Sequence, residues 1–152
     1  MTKLLLSLHV IVAIVAVGPV TVAASVFPRT AREAFAAPAD PAPRAALRTL
    51  HRITRVYALL ALLVPTFGFA TAAAMGVLGD VWLNVSIVLT ALAGGILLGL
   101  VLPLQERTLR ELDGGDQPPD SARLAMTAGL FNILWATVTV LMIVRPGSTT
   151  GA

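Results

Sequence analysis

Cysteine is absent from this chain of 152 residues, and charged side chains are absent from four long stretches of it. The lack of cysteine excludes disulfides, thiol catalysis, iron–sulfur clusters and thiolate metal sites. Charged residues make up 12% of the chain and hydrophobic residues 57%. A soluble domain of this length carries about twice that charged fraction. The composition therefore predicts a membrane protein.

The uncharged stretches set the expected architecture. They cover residues 4–27, 56–78, 81–102 and 124–144, and each is long enough for a helix of ~20 residues to cross the hydrocarbon core. We expect an all-α fold, a transmembrane four-helix bundle that forms a single membrane domain over residues 1–152. The remaining residues are expected to form loops at 28–55 and 103–123 and a disordered tail at 146–152.

Basic residues are shared unevenly between the two sides of this bundle. The loops 28–55 and 103–123 hold nine arginines: Arg29, Arg32, Arg44, Arg48, Arg52, Arg55, Arg107, Arg110 and Arg123. The other side holds Lys3 and Arg145, and the Gly79-Asp80 turn has no basic residue. The positive-inside rule then predicts cytoplasmic loops with both termini outside (N-out/C-out) in a multi-pass plasma-membrane protein.

A cleaved signal peptide is the alternative for the first stretch. Val22-Ala23-Ala24 before Ser25 has the small residues of a cleavage site. A signal core, however, has roughly 7–15 apolar residues, and this run is longer. Cleavage would also place the first arginine-rich loop outside, so we favour a retained span.

The sequence pI near 10.6 raises the question of nucleic acid binding. The net excess is only +3, and the arginines lie beside membrane spans without interleaved aromatic residues. We therefore expect no nucleic acid partner. The expected partners are the lipid bilayer and either a second copy of the chain or another membrane protein.

Helical spacing predicts which faces of the spans meet, because small residues allow helices to approach closely and polar residues bond across them. The predicted interior stripes are His9, Ala13, Ala16, Val20 and Ala23 in span one; Tyr57, Ala61, Pro65, Gly68, Ala72 and Gly76 in span two; Asn84, Ala91, Gly95 and Leu98 in span three; and Ala125, Ala128, Asn132, Trp135 and Thr139 in span four.

Proline and glycine predict where the spans end. Phe27-Pro28-Arg29 is expected to end span one, because proline disfavours helix at the residue before it. Residues 37–43 are expected to form an extended, polyproline-like connector, and a helix should then run from Ala45 through Arg55 into span two. Residues 113–120 predict a turn, with Asp120 or Ser121 capping span four.

His9 is the one side chain inside the uncharged stretches that can ionise near neutral pH. An intramembrane ionisable residue is a candidate functional site. The competing interpretation is a structural imidazole bonded to a neighbouring helix, with Asn132, Trp135 and Thr139 of span four or Asn84 of span three as expected partners. His51 lies among arginines on the predicted cytoplasmic side and is expected to be a solvated interface residue.

Two cofactor hypotheses follow from His9. Because His9 and His51 lie near opposite faces, a haem held by two histidines of one subunit is excluded, but a single-histidine haem or one shared between subunits stays open. Met75 and Met142 lie at a depth comparable with His9, and thioether and imidazole ligands suit Cu(I). His9, Met75 and Met142 are thus the candidate metal ligands, and no cofactor is assigned.

The spans lack the buried carboxylates or lysines that coupled ion transport needs, and no nucleophile–base pair, phosphate loop or zinc-protease motif occurs. We therefore expect a non-enzymatic membrane interaction or accessory protein. The alternative is a haem- or copper-handling membrane protein that uses His9.

Leu8-His9, Gly18-Pro19 and Phe27-Pro28-Arg29 resemble the opening of a family of small predicted bacterial integral membrane proteins of unknown function. The stretch Asn132-Ile133-Leu134-Trp135 through Arg145-Pro146-Gly147 is similar to that family's last span. More distantly, the opening resembles the copper-resistance membrane proteins and the membrane protoporphyrinogen oxidases of haem biosynthesis. The oxidases carry a functional histidine in their first span, and His9 is the position that this resemblance implies.

Overall fold

The computed structural model describes residues 1–114 and 120–147, and within them it contains helices and no strand. The helices are α1 (Thr2–Ala36), α2 (Pro41–Ala61), α3 (Leu63–Met75), α4 (Val81–Ile96), a π-helical segment (Leu97–Val101), α5 (Leu102–Gly114) and α6 (Ser121–Val144). The predicted all-α bundle is confirmed. The turn predicted after Asp113 and most of the predicted tail lie outside the described residues.

The described residues form four continuous helical rods that are long and apolar enough to cross a membrane: Thr2–Ala36, Pro41–Met75, Val81–Gly114 and Ser121–Val144. The chain is a multi-pass membrane protein whose apolar helices contact the lipid. The first three rods have 34 or 35 residues, so each is roughly 50 Å long. Hydrocarbon is only ~30 Å thick, so each of these rods is longer than the hydrocarbon core.

Phe27-Pro28-Arg29 was expected to end span one because proline disfavours helix, but the helix does not stop there. Helix α1 continues through Pro28 to Ala36. Proline removes one backbone hydrogen bond but does not force the chain to stop. Here Phe27, Pro28, Ala31 and Ala34 are buried, so packing on this face holds the helix together.

The extended connector predicted for residues 37–43 was also wrong, because α2 already begins at Pro41. The Asp40 side chain accepts a hydrogen bond from the backbone N–H of Ala42 at 2.9 Å and caps the helix. Proline fits the first helical position, where its missing N–H would have no partner anyway. The predicted helix over residues 45–55 is confirmed.

The regular α-helical bonding of two rods is interrupted at identifiable backbone features. Leu62 separates α2 from α3, and Pro65 just beyond it cannot donate to the carbonyl of Ala61. The π-helical segment Leu97–Val101 lies just before Pro103. Because proline has no N–H, one backbone carbonyl loses its usual hydrogen-bond donor. A short π-helical segment of this kind can give that carbonyl another donor.

The ends of two helices use ordinary capping. Gly76 adopts a left-handed φ of 71° and ends α3, a conformation that glycine takes without strain. Asp120 accepts a hydrogen bond from the backbone N–H of Arg123 at 3.0 Å and caps α6. Asp120 was one of the two caps that the sequence predicted.

Helix α1 is the centre of the bundle, since it packs against α2, α3 and α6, while α4 packs against α6. One apolar core lies within the bundle and is built around Val17, Val20, Ala93 and Phe131. A second core lies at the end of the bundle that carries the nine arginines, which we call the arginine-rich end. It is formed by Phe27, Ala31, Ala34, Leu47, Leu112 and Leu124.

The interior stripes predicted from spacing had mixed outcomes. The span-one stripe is confirmed, with Ala16, Val20 and Ala23 buried. The span-three stripe was wrong, because Asn84, Ala91, Gly95 and Leu98 are all exposed. Helix α4 and the π segment instead bury a different face, which carries both large and small residues: Trp82, Leu83, Ser86, Ala93, Leu97 and Val101. Spans two and four bury only part of their stripes, Ala72 and Ala128.

Candidate functional site

The His9 side chain reaches from α1 to α3. Its ring nitrogen Nδ1 lies 3.0 Å from the carbonyl oxygen of Val64. The ring also lies over Gly68, where an added Cβ would come within 3.0 Å of the His9 Cε1 atom. Gly68 therefore leaves the space that the imidazole fills, and the two helices are held together by a bond from a side chain to the backbone.

The hydrogen-bond partners expected for His9 were wrong. Asn132 donates from Nδ2 to the Ser25 hydroxyl at 2.9 Å, Thr139 bonds to the carbonyl of Trp135, and Asn84 donates to the carbonyl of Asp80. None of these bonds reaches His9, and no described hydrogen bond joins His9 to the Trp135 indole. Spacing along one helix gives relative angles but not the identity of the facing helix, and backbone carbonyls carry no mark in the sequence.

The bond to Val64 fixes the hydrogen on the His9 ring. A carbonyl oxygen only accepts hydrogen bonds, so Nδ1 must be the donor. In the neutral ring the lone pair then lies on Nε2. Histidines that bind metals commonly donate their other ring N–H to a backbone carbonyl in this way, although a structural histidine would do the same.

The other two candidate metal ligands lie toward the end of the bundle that carries the termini. Met75 is the last residue of α3. Met142 of α6 packs against the apolar cluster of Ala72, Trp82 and Leu83. None of the hydrogen bonds described for His9 joins it to either methionine. A site formed by His9, Met75 and Met142 stays a prediction, and over residues 1–114 and 120–147 no three His, Asp or Glu side chains form a group suited to a metal.

A buried polar network, which the sequence did not predict, lies at the arginine-rich end. Gln105 of α5 is only 1% exposed. Its Oε1 lies 3.2 Å from the Nδ1 of His51, and its Nε2 lies 3.4 Å from the hydroxyl of Thr54. Thr54 in turn donates to the carbonyl of Leu50 at 2.9 Å. The His51 Nδ1–H donates to Gln105, the Gln105 amide donates to Thr54, and the Thr54 hydroxyl donates to the carbonyl of Leu50.

This network corrects the interpretation of His51 as a solvated residue. His51 is half-buried and bonds across to α5. Gln105 lies within the loop predicted for residues 103–123, between Pro103 and a run of charged residues. Its burial follows from the length of α5, which continues beyond the predicted span and packs against α2.

Ion pairs also link helices at the arginine-rich end. An Arg48 guanidinium nitrogen lies 2.6 Å from Asp113, and one of Arg44 lies 4.0 Å from the same carboxylate. These contacts join α2 to α5. Three further pairs lie within single helices at i, i+4 spacing: Arg29–Glu33, Arg107–Glu111 and Arg110–Glu106.

The opposite end of the bundle has a smaller polar cluster. The indole N–H of Trp82 donates to Asp80 at 2.9 Å. The Arg145 guanidinium lies over the Trp82 ring, 5.6 Å from its centroid, a distance suited to a cation–π contact. These contacts join the start of α4 to the residue that follows α6.

A scan of family models finds no match to this chain, and no curated protein or solved structure matches it significantly.

Proposed function

We propose that this chain is a non-enzymatic interaction or accessory protein of the plasma membrane, and that it associates with a second copy of itself through one exposed side of α4. The observation that carries the proposal is the exposure of Asn84, Ala91 and Gly95. These residues have the pattern of a helix-packing stripe, yet they face away from the chain's own bundle.

Asn84 supplies the polar part of this stripe. One amide hydrogen bonds to the Asp80 carbonyl at 3.1 Å, which leaves its oxygen free to accept a bond. An amide that faces lipid gains from a partner across a helix interface, by about 0.6–2 kcal/mol in measured cases. In a parallel two-fold dimer Asn84 would meet the partner's Asn84, and each amide could donate to the other.

The small residues of this stripe would allow a second helix to approach α4 closely. A Cβ added at Gly95 or Gly99 would meet no atom within 4 Å, so the surface is open there. Asn84, Val85, Val88 and Leu89 line a shallow, mainly apolar depression on the same helix. A second helix could therefore approach the backbone of α4 along this side.

Gly95→Leu tests the proposal. Because Gly95 makes no close contact within the chain, the variant should keep the helical content and thermal stability of the monomer. It should also lose association in membranes, measured by disulfide cross-linking of a single cysteine at Ala91. Gly18→Leu is the matched control, since Gly18 is equally open but lies on α1. Cross-linking that survives Gly95→Leu, or that is absent from the Ala91→Cys chain itself, would contradict self-association.

The second candidate function is haem or copper handling by His9, which the distant family resemblances also suggest. The specific support is the Nδ1–H bond to Val64, which presents the Nε2 lone pair as a ligand. Purified protein, handled without chelators, should then carry copper or a haem absorption band that His9→Gln abolishes and His51→Gln retains. Colourless, metal-free wild-type protein would leave His9 with a structural role alone.

A further inference from the structure

Four arginines share one side of α2. Arg44, Arg48, Arg52 and Arg55 follow one another at spacings of four, four and three residues, so they form a stripe along the helix. Asp113 of α5 contacts Arg44 and Arg48. Arg52 and Arg55 are exposed and have no carboxylate within ion-pairing distance among the described residues.

The other described carboxylates at the arginine-rich end already have ion-pair or hydrogen-bond partners. Glu33, Glu106 and Glu111 each pair with an arginine of their own helix. Asp40 and Asp120 accept backbone N–H bonds at helix starts. Asp116 lies outside the described residues. Among residues 1–114 and 120–147, no carboxylate neutralises Arg52 or Arg55, and their guanidinium groups are exposed to a partner from outside the chain.

The position of these two arginines indicates what that partner is. Arg55 directly precedes Val56, where the uncharged stretch begins, so both guanidiniums lie at the level of the lipid headgroups. Leu59 is four residues beyond Arg55 and seven beyond Arg52, and Leu62 is seven beyond Arg55, so both continue the same side of the helix. These leucines are 61% and 53% exposed. The surface is thus cationic at headgroup level and apolar directly below it.

We propose that Arg52 and Arg55 bind the phosphate headgroup of an anionic phospholipid whose acyl chains lie along Leu59 and Leu62. Guanidinium groups donate paired hydrogen bonds that match phosphate oxygens. A basic residue near the headgroup layer also attracts anionic lipid through the surface field. Arg44 and Arg48 are excluded from this role by their contacts with Asp113 and by their greater distance from the uncharged stretch.

Native mass spectrometry of the purified full chain tests the site, with phosphatidylglycerol and phosphatidylcholine competing in the same detergent. The wild-type protein should retain phosphatidylglycerol preferentially. Each arginine should contribute roughly fivefold to that preference, so Arg52→Gln with Arg55→Gln should reduce it by about 25-fold. Inorganic phosphate added at millimolar concentration should not displace the lipid, since it lacks the acyl chains.

The matched control is Arg29→Gln with Arg110→Gln. It removes the same two charges from the same end, but from arginines that are paired with Glu33 and Glu106. Its lipid preference should fall by less than about fivefold. An equal loss of lipid preference in the two double variants would show a nonspecific charge effect and overturn the proposal. A wild-type protein without preference for phosphatidylglycerol would also overturn it. All replaced side chains are exposed, so circular dichroism should show the same helical content in each protein.

Discussion

His9 and Val64 join two membrane-spanning helices through a single hydrogen bond, with His9 Nδ1 3.0 Å from the Val64 carbonyl oxygen. Val64 directly precedes Pro65, in the turn where the helical bonding of span two is already interrupted. The imidazole therefore contacts the backbone beside the break between α2 and α3. This placement gives His9 a structural role whether or not its Nε2 also binds a ligand.

Replacing His9 should reveal the strength of that contact. His9→Ala should lower the free energy of unfolding by about 0.6–2 kcal/mol, the range for hydrogen bonds between membrane helices. His9→Gln should recover part of the loss, because its amide can still donate. The measurement is the unfolding midpoint in detergent by circular dichroism. Equal stability of the glutamine and alanine variants would show that the bond itself contributes little.

The sequence predicted the four helices because an uncharged apolar stretch of this length has few alternatives to a spanning helix. It did not predict their full lengths. Pro28 and Pro41 both suggested breaks in helical structure. Buried contacts stabilise α1 on both sides of Pro28, and the cap formed by Asp40 allows α2 to begin at Pro41. Proline thus lies inside one helix and at the start of another, and packing and capping decide which.

The candidate site was predicted less completely. His9 was identified as an ionisable residue in an apolar span, but its carbonyl partner leaves no trace in the sequence. Gln105 was missed because a neutral amide beside charged residues is typical of a solvated surface. The stripe in span three was assigned to the wrong side because small residues allow contact without specifying which helix, or which copy of the chain, makes it.

Gly68 should be coupled energetically to His9. A Cβ at Gly68 would lie 3.0 Å from His9 Cε1, so Gly68→Ala should push the ring from Val64 and destabilise the protein. In a His9→Ala background that clash is gone, and alanine's better helix propensity, about 1 kcal/mol, should make the same change neutral or stabilising. A double-mutant cycle of unfolding midpoints measures this coupling.

The control for that cycle is Gly129→Ala, because a Cβ at Gly129 meets no atom within 4 Å. It should be neutral or stabilising in both backgrounds. Additive effects of Gly68→Ala and His9→Ala would mean that the ring does not occupy the space beside Gly68.

The arginine-rich end is predicted to face the cytoplasm, by the positive-inside rule. Single cysteines can report this, since the chain has none of its own. Lys3→Cys should react with a membrane-impermeant thiol reagent in intact cells, and Ala42→Cys should react only after the membrane is permeabilised. Both positions are exposed, so accessibility within the protein does not bias the comparison. The opposite labelling pattern would reverse the orientation.

Replacing Gln105 should lower the free energy of unfolding more than replacing its charged neighbour Glu106. Gln105→Ala removes the bonds to His51 and Thr54 and leaves a cavity, which should cost roughly 2–3 kcal/mol in detergent unfolding. Gln105→Met keeps most of the volume and loses only the hydrogen bonds, so it should cost less. Glu106→Ala removes an exposed ion pair, which is worth less than about 1 kcal/mol. If Gln105→Ala and Glu106→Ala destabilised the protein equally, the polar network would not hold α5 against α2, and the apolar core around Leu47 and Leu112 would be what joins them.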